Sequence, residues 1–375
     1  MHLASGATPA LGCLCGVPSR PEIRLRPSDG REDQGVADQM TSTSGLSTTT
    51  RTGVSSVRTT IGGPTLTSPA RLCFVVEEKY ENDVMPGAVI DVLRSWGHQV
   101  DVLRPNGMVA DLWDLLPTGA ATYDAFVLKT VSGGPGQSLL DAAGAAGLTT
   151  VNDYRAIRLA RDKAVAAVRA RAAGIPFPKT YFASRTALLE QIPADAYPLV
   201  IKPNNGSSCE QIVRVDDPAE LAGLDIDDSG ALLAQPYLPN PGYDVKLYNT
   251  GDEVFATVKR SPLHPGAPVV EEQIPVTPEL RSLSLAVGRA FGLDIYGIDV
   301  IETPDGWVVL DVNDFPSFGM VPEAAARLAR TVLRVTRRGA SSTSTDTSRS
   351  TDTSRSTSSS LSFAPTFAPA LEATA

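Results

Sequence analysis

Cysteine and histidine are scarce in this 375-residue chain, which holds four of the first and three of the second. Cys13, Cys15, Cys73 and Cys209 form no CxxC pair, so neither a disulfide framework nor a zinc site is indicated. His264 stands alone in the later half, with no serine or cysteine arranged for it, which argues against a nucleophile–histidine triad. The GxxxxGK[ST] spacing is absent, so phosphate is not bound by a Walker loop. No apolar run approaches the about 18 residues of a membrane helix, and the first residues lack the basic-then-apolar order of a leader. Excess positive charge is missing too. The net charge of −9 argues against general nucleic-acid binding, which needs a basic face, but leaves room for a local phosphate pocket. The expectation is a reduced, cytoplasmic setting with no membrane or nucleic-acid partner.

What is present suffices for a sizeable core, since 42% of residues are hydrophobic, and for more than one subdomain. Residues 1–68 are rich in Ser, Thr, Gly, Pro and Arg without a sustained period, and 337–375 carry Ser-Thr-Asp repeats. Such segments cannot build a core, and both are expected to be disordered. Between them, 70–152 alternates apolar strands at 71–76, 98–103, 124–129 and 148–151 with helices at 88–96 and 135–147. That order predicts a small parallel α/β domain. In 153–336 a helix at 160–173 precedes strands at 179–182, 198–202, 231–235, 244–248 and 253–259. Helices at 218–222, 278–291 and 321–335 and a hairpin at 296–318 complete this half. Its strands come mostly in adjacent pairs, which predicts α+β. No internal repeat is evident.

The hairpin carries the clearest chemistry. It turns at Pro304, Asp305 and Gly306, with Asp299 on the first strand and Asp311 and Asn313 on the second. Side chains two apart share a strand face, and antiparallel pairing across the turn brings Asp299 beside them. Three oxygen ligands on one face suit Mg²⁺ or Mn²⁺, with water and phosphates completing the shell. A solvated polar face is the alternative, against which the flanks Ile298, Val300, Leu310 and Val312 suggest burial.

Four further segments bear charge or glycine in suggestive places. Lys202 ends an apolar strand before Gly206, Ser207 and Ser208, whose backbone and hydroxyl donors could fold over phosphate; the pattern alone fits a surface hairpin better. Lys163 opposes the dipole at a helix start, which suits an anion, although an ordinary surface helix explains it in isolation. Gln235, Pro236, Tyr237 and Leu238 leave a strand and could line an adenine edge, or simply form a strand exit. Asp244, Lys246, Lys259 and Arg260 lie on two neighbouring strands. Three cations close together in an acidic protein favour a phosphate or carboxylate site over a solvated edge.

In chain order, Asp162-Lys163, Val200-Ile-Lys-Pro with Asn204-Asn-Gly-Ser-Ser, Gln235-Pro-Tyr-Leu, Gly242-Tyr-Asp-Val-Lys, and Asp299 with Asp311-Val-Asn313 resemble the ATP-grasp superfamily over about 150–320. The resemblance implies α/β plus α+β: an ATP-grasp fold with a small amino-terminal parallel α/β domain, and nucleotide between two α+β subdomains. Lys163 and Lys202 would meet the phosphates under the loop of Gly206, Ser207 and Ser208. Gln235 to Leu238 would be the adenine hinge, with Asp244 in the nucleotide set, and Asp299, Asp311 and Asn313 would hold Mg²⁺. Gly242-Tyr-Asp-Val-Lys-Leu-Tyr resembles glutamate-adding carboxylate–amine ligases, which work through an acyl phosphate. Val258-Lys-Arg-Ser-Pro-Leu and Asp311-Val-Asn-Asp-Phe-Pro-Ser-Phe resemble inositol trisphosphate and tetrakisphosphate kinases. Many of the ligases have Glu where this chain has Asp311, a departure towards the kinases.

The leading expectation is an ATP-dependent ligase for a small or peptide-like acid and an amine, with kinase and non-catalytic nucleotide-binding regulator as alternatives. Retention of Asp299, Asp311 and Asn313 argues against the regulator. Lys246, Lys259 and Arg260 are the expected catalytic cations, Arg260 gripping the γ-phosphate or acceptor anion with its two-pronged fork. Oligomeric state is left open.

Overall fold

A computed structural model describes residues 68–115, 123–129, 132–205, 212–221, 223–224 and 230–340. The disorder expected of 1–67 and 341–375, and the loop of Gly206, Ser207 and Ser208, lie outside the described residues. The strands are β1 (Arg71–Val76), β2 (Gln99–Leu103), β3 (Ala125–Lys129), β4 (Thr150–Val151), β5 (Tyr181–Ala183), β6 (Leu199–Pro203), β7 (Val213–Val215), β8 (Leu232–Pro236), β9 (Tyr243–Asn249), β10 (Val254–Arg260), β11 (Glu272–Ile274), β12 (Tyr296–Thr303) and β13 (Gly306–Asn313). The α-helices are α1 (Val84–Ser95), α2 (Pro135–Ala145), α3 (Tyr154–Arg161), α4 (Lys163–Ala172), α5 (Pro218–Leu221), α6 (Pro278–Phe291) and α7 (Ala324–Arg338). The fold is α/β plus α+β, built on three sheets.

The first sheet is parallel, in the order β2-β1-β3-β4. A parallel sheet needs cover on both faces, and the continuous apolar runs of β1 and β3 are buried on both. Val89 and Leu93 of α1 join Leu328 and Val332 of α7 over one face. Leu140 of α2 and Ile157 of α3 close the other. The closing helix α7 runs through Arg338, two residues into the segment read as tail, and Arg338 is held by Asp294 at 2.6 Å.

The other sheets are antiparallel, ordered β5-β8-β6-β7 and β11-β10-β9-β12-β13. Val245, Leu247, Ile298, Val300 and Val312 of the five-stranded sheet pack with Leu280, Val287 and Phe291 of α6. This helix occupies the expected span because its ends are written locally. Thr277 caps it by accepting from Leu280 N–H, Pro278 starts it, and Gly292 ends it at φ +75°.

Two expectations need correction. The helix expected at 160–173 is two helices, α3 and α4, broken at Asp162. There the backbone is extended, and the carboxylate accepts from Ala164 and Val165 N–H at 3.1 Å each, so the second helix starts afresh at Lys163. Strands β7 and β11 were not expected: each has only three residues, and those of β11 are mostly exposed and carry no apolar alternation.

Asn152 ties the first sheet to the hairpin strands. Its buried amide donates to the carbonyls of Ile295 (2.7 Å) and Asp314 (2.6 Å) and accepts from Asp294 and Ile295 N–H. A fully used side-chain amide in a buried place holds these backbones in register.

Candidate active site

A cavity of about 460 Å³ opens between the four- and five-stranded sheets. Every expected site residue within the described residues lines it: Lys163, Lys202, Gln235 to Leu238, Asp244, Lys246, Lys259, Arg260, Asp299, Asp311 and Asn313. They reach it from α4, β6, β8, β9, β10, β12 and β13 and the turns that follow. No single segment of sequence contains the site.

The hairpin register builds one end. Asp299 pairs across the strands with Asp311, and Gly297 with Asn313. Asn313 Nδ2 donates to Asp299 Oδ2 at 2.9 Å, so the three oxygen-bearing side chains do share a face. Between Asp299 and Val300 the register slips, because Val300 pairs with Val309 and leaves Leu310 as an extra residue. This corrects the burial expected of Leu310. Its side chain lines the cavity, and its carbonyl accepts from Lys202 Nζ at 3.1 Å.

Three lysines meet this end from three different elements. Lys163 Nζ lies 3.1 Å from both oxygens of Asp311, and Lys246 Nζ lies 3.1 and 3.2 Å from those of Asp299. Burial pushes the Asp311 carboxyl up, but Lys163, then Lys202, outweigh it and hold the group below its usual range. Burial pushes the Lys246 ammonium down, and Asp299 more than restores it, leaving it above the usual value. Lys163 is placed by a local network that includes Asn204. The Asn204 carbonyl accepts from Lys163 N–H (3.4 Å), and its side chain bonds Ala164 N–H (2.9 Å) and Asp162 (3.2 Å).

As a metal site, the pair Asp299 and Asp311 with the Asn313 amide offers hard oxygens and little else. Among the described residues there is no group of three or more His, Cys, Asp or Glu able to hold an ion. Two carboxylates and an amide do fit Mg²⁺, which keeps waters and takes its remaining ligands from phosphate oxygens.

The opposite end is largely apolar, with Pro178, Val200, Ile212 and Leu238 on its walls. Gln235 is buried and donates to Thr180 Oγ1 at 2.9 Å. Tyr237 N–H is already taken by the Pro198 carbonyl at 2.7 Å, so it is not a free donor for a base edge. The Tyr237 ring carries the Arg214 guanidinium 4.2 Å from its centroid, while its hydroxyl meets His264 Nε2 at 2.9 Å. Asp244 sits deeper. Burial pushes its carboxyl up to about 6, and one of its oxygens has no hydrogen-bond partner. Arg260 is exposed, and its guanidinium donates to the carbonyls of Pro265 (3.2 Å) and Val269 (3.4 Å).

Comparison with known proteins decides the family. The family model described as a RimK-like ATP-grasp domain matches residues 160–334. Residues 160–334 form an ATP-grasp domain. It is 26% identical over 262 residues to a probable alpha-L-glutamate ligase of Mannheimia succiniciproducens, covering 61% of this chain and 85% of that protein. To a protein of the same description from Trichodesmium erythraeum it is 31% identical over 185 residues, 45% of this chain and 61% of the relative. A RimK domain ATP-grasp protein of Sphaerobacter thermophilus superposes with a TM-score of 0.55 at 20% identity, over 70% of this chain and 99% of that one. The ATP-grasp ligase PsnB, solved with a precursor peptide and AMPPNP, gives 0.53 at 18% identity, over 73% of this chain and all of that one. At these identities the two structures establish the fold alone. Family and relatives together make this an ATP-dependent ligase of the ATP-grasp type, a class that uses ATP with Mg²⁺.

Three features of the site escaped the sequence. Asn204 was visible as part of a motif but not as the anchor of Lys163. The Leu310 bulge left no signal in an alternating strand. Arg161, which grips Asp314 at 2.9 and 3.1 Å beside the cleft, was not singled out.

Proposed function

We propose that the chain is an ATP- and Mg²⁺-dependent carboxylate–amine ligase of the cytoplasm that activates a small or peptide-like acid as its acyl phosphate. The observation that carries this reading is the convergence of Lys163, Lys202 and Lys246 on Asp299, Asp311 and Asn313, at the charged end of a cavity with an apolar far end. The apolar end suits a base, and the charged end suits a triphosphate with its cation. Asp299, Asp311 and Asn313 would hold Mg²⁺, which when bound neutralises charge on the transferred phosphoryl group.

Lys163 and Lys246 act by exchanging partners. Each here neutralises a carboxylate, and each would be available to phosphate or acceptor oxygens if those carboxylates held Mg²⁺. Lys202, tethered to a neutral carbonyl, grips phosphate throughout. Lys259 and Arg260 supply the remaining positive charge, Arg260 leaving its two long carbonyl contacts to grip the γ-phosphate or acceptor anion. In the first step an acceptor carboxylate oxygen bonds to the γ-phosphorus, the bond from that phosphorus to the bridging oxygen breaks, and ADP leaves. In the second an amine nitrogen bonds to the acyl carbon, phosphate is expelled, and the nitrogen gives up a proton to leave an amide.

Aspartate rather than glutamate at 311 favours one other reading, phosphoryl transfer to a polyol hydroxyl. Mass spectrometry of products across acids, amines and inositol phosphates separates the two. ADP with free phosphate and a new amide is expected; ADP with a phosphorylated polyol and no free phosphate would establish the kinase instead. Nucleotide binding without any turnover would leave a regulator.

A further inference from the structure

Strand β13 carries two of the three proposed cation ligands, and it is an edge strand of its sheet. Asn313 is its last residue, paired on one side with Gly297. An edge strand has no ladder on its outer side, and element ends are where structure loosens first. The sheet alone therefore holds the Asn313 amide weakly.

The residues just beyond supply a firmer hold. Arg161, the last residue of α3, reaches Asp314 with two prongs: Nε donates to Oδ1 at 2.9 Å and a terminal nitrogen to Oδ2 at 3.1 Å. Its other terminal nitrogen donates to Gln137 Oε1 (3.3 Å), which also accepts from Gly133 N–H (2.9 Å). The Asp314 carbonyl accepts from Asn152, and the Phe315 carbonyl accepts from Lys129 Nζ at 2.8 Å. The two residues past Asn313 are thus fastened from β3, from the end of β4 and from α3. Phe318 follows at φ +54°, a conformation that bulky side chains rarely adopt, and lies buried against Tyr248 and Phe315.

The ion pair is the member of this set that fixes a direction. Both of its side chains are 11% exposed. Desolvation offsets much of what a buried pair adds to stability, whereas two parallel bonds hold the carboxylate in the plane of the guanidinium. Asp314 in turn fixes the backbone from which the Asn313 amide projects. Two positions after Arg161, Lys163 meets Asp311, so the junction of α3 and α4 grips this strand at two points.

We propose that Arg161 is a positioning residue of the cation site, holding the end of β13 through Asp314 so that the Asn313 amide stays beside Asp299 and Asp311. This role rests on the ligase reading, in which those three residues take Mg²⁺. The parallel α/β half then belongs to the frame of the site, since its Lys129 and Asn152 fasten the same segment.

The test is Mn²⁺ titration of the full chain in complex with a non-hydrolysable ATP analogue, followed by electron paramagnetic resonance. Affinity for the analogue without divalent cation is measured in parallel. Arg161→Gln and Asp314→Asn are each expected to weaken Mn²⁺ by about tenfold, the lower end of the usual effect of groups that orient metal ligands. Asp314→Asn keeps the shape of the side chain, so the contact is read even where Arg161→Gln does not fold. The double variant loses no more than either single one, because all three remove one contact. Arg161→Lys keeps part of the affinity, and binding of the analogue alone is unchanged throughout. Arg158→Gln removes the ion pair of the same helix with Asp141 and leaves Mn²⁺ affinity as it was, which separates positioning from general loosening. Wild-type Mn²⁺ affinity in both Arg161→Gln and Asp314→Asn, or an equal loss in Arg158→Gln, overturns the proposal. If Asp311→Asn weakens Mn²⁺ while the Arg161 and Asp314 variants do not, the positioning role alone falls. If Asp311→Asn does not weaken it either, the cation assignment falls as well.

Discussion

The two antiparallel sheets that enclose the cleft differ in both charge and foundation. The five-stranded sheet contributes Lys246, Lys259, Asp299, Asp311 and Asn313, on strands backed by α6 and a core of eighteen buried apolar residues. The four-stranded sheet contributes Lys202 and the start of the 235–238 segment, over a core of nine among the described residues. Charges that must hold one geometry sit on the deeper core, where neighbours leave little freedom. The sheet proposed to grip the nucleotide has the smaller foundation, and local stability follows buried apolar contact. On the ligase reading proposed above, the difference amounts to a division of labour in which one sheet would position the chemistry and the other would clasp the substrate.

Substitutions on the two sides can break or sharpen that division. The largest effect is expected from Asp311→Asn, which removes a proposed cation ligand and the partner of Lys163. Several kcal/mol of transition-state charge stabilisation is lost, so the rate of ADP formation should fall by about 100-fold or more. Lys202→Met should act on affinity, raising the nucleotide Kd by about 10- to 100-fold in a direct binding measurement while kcat changes far less. A fall in kcat equal to that of Asp311→Asn would collapse the division.

The effect expected at Asp244, on the edge between the two ends, falls on stability rather than on turnover. Burial raises its folded pKa from 3.8 to about 6, so its contribution to stability is complete below pH 4 and lost as pH rises through 6. Asp244→Asn should therefore stabilise the nucleotide-free protein at pH 8 by at most about 3 kcal/mol and leave it unchanged near pH 4, as read by thermal denaturation. Equal shifts at both pH values would show that the carboxyl is not strained.

Much of this arrangement was legible. Period-two spacing put Asp311 and Asn313 on one face, and the Pro304-Asp305-Gly306 turn set the register that brought Asp299 across from them. Thr277, Pro278 and Gly292 marked α6 because capping is a local matter. Lys163 was read at a helix start, and the structure gives the cause in the Asp162 cap. Other features had no local trace. A bulge costs one residue and looks like an uninterrupted strand, so Leu310 was read as core. Lys129 ends an apolar run, and nothing nearby in sequence tells that Tyr80 and Phe315 lie against it. Nothing in the 235–238 segment tells that the Pro198 carbonyl occupies the N–H of Tyr237.

By itself the sequence determined which side chains could serve: two carboxylates and an amide at strand spacing, lysines at element ends, and an apolar strand leaving through a proline. These follow from the backbone periods and from rules acting over a few residues. Only the tertiary structure decided that Lys163 meets Asp311, 148 positions away, and that Lys129 faces a cavity shared with Lys246. Pairing of charges across sheets depends on how separate cores stack, and that is settled by packing rather than by any local preference.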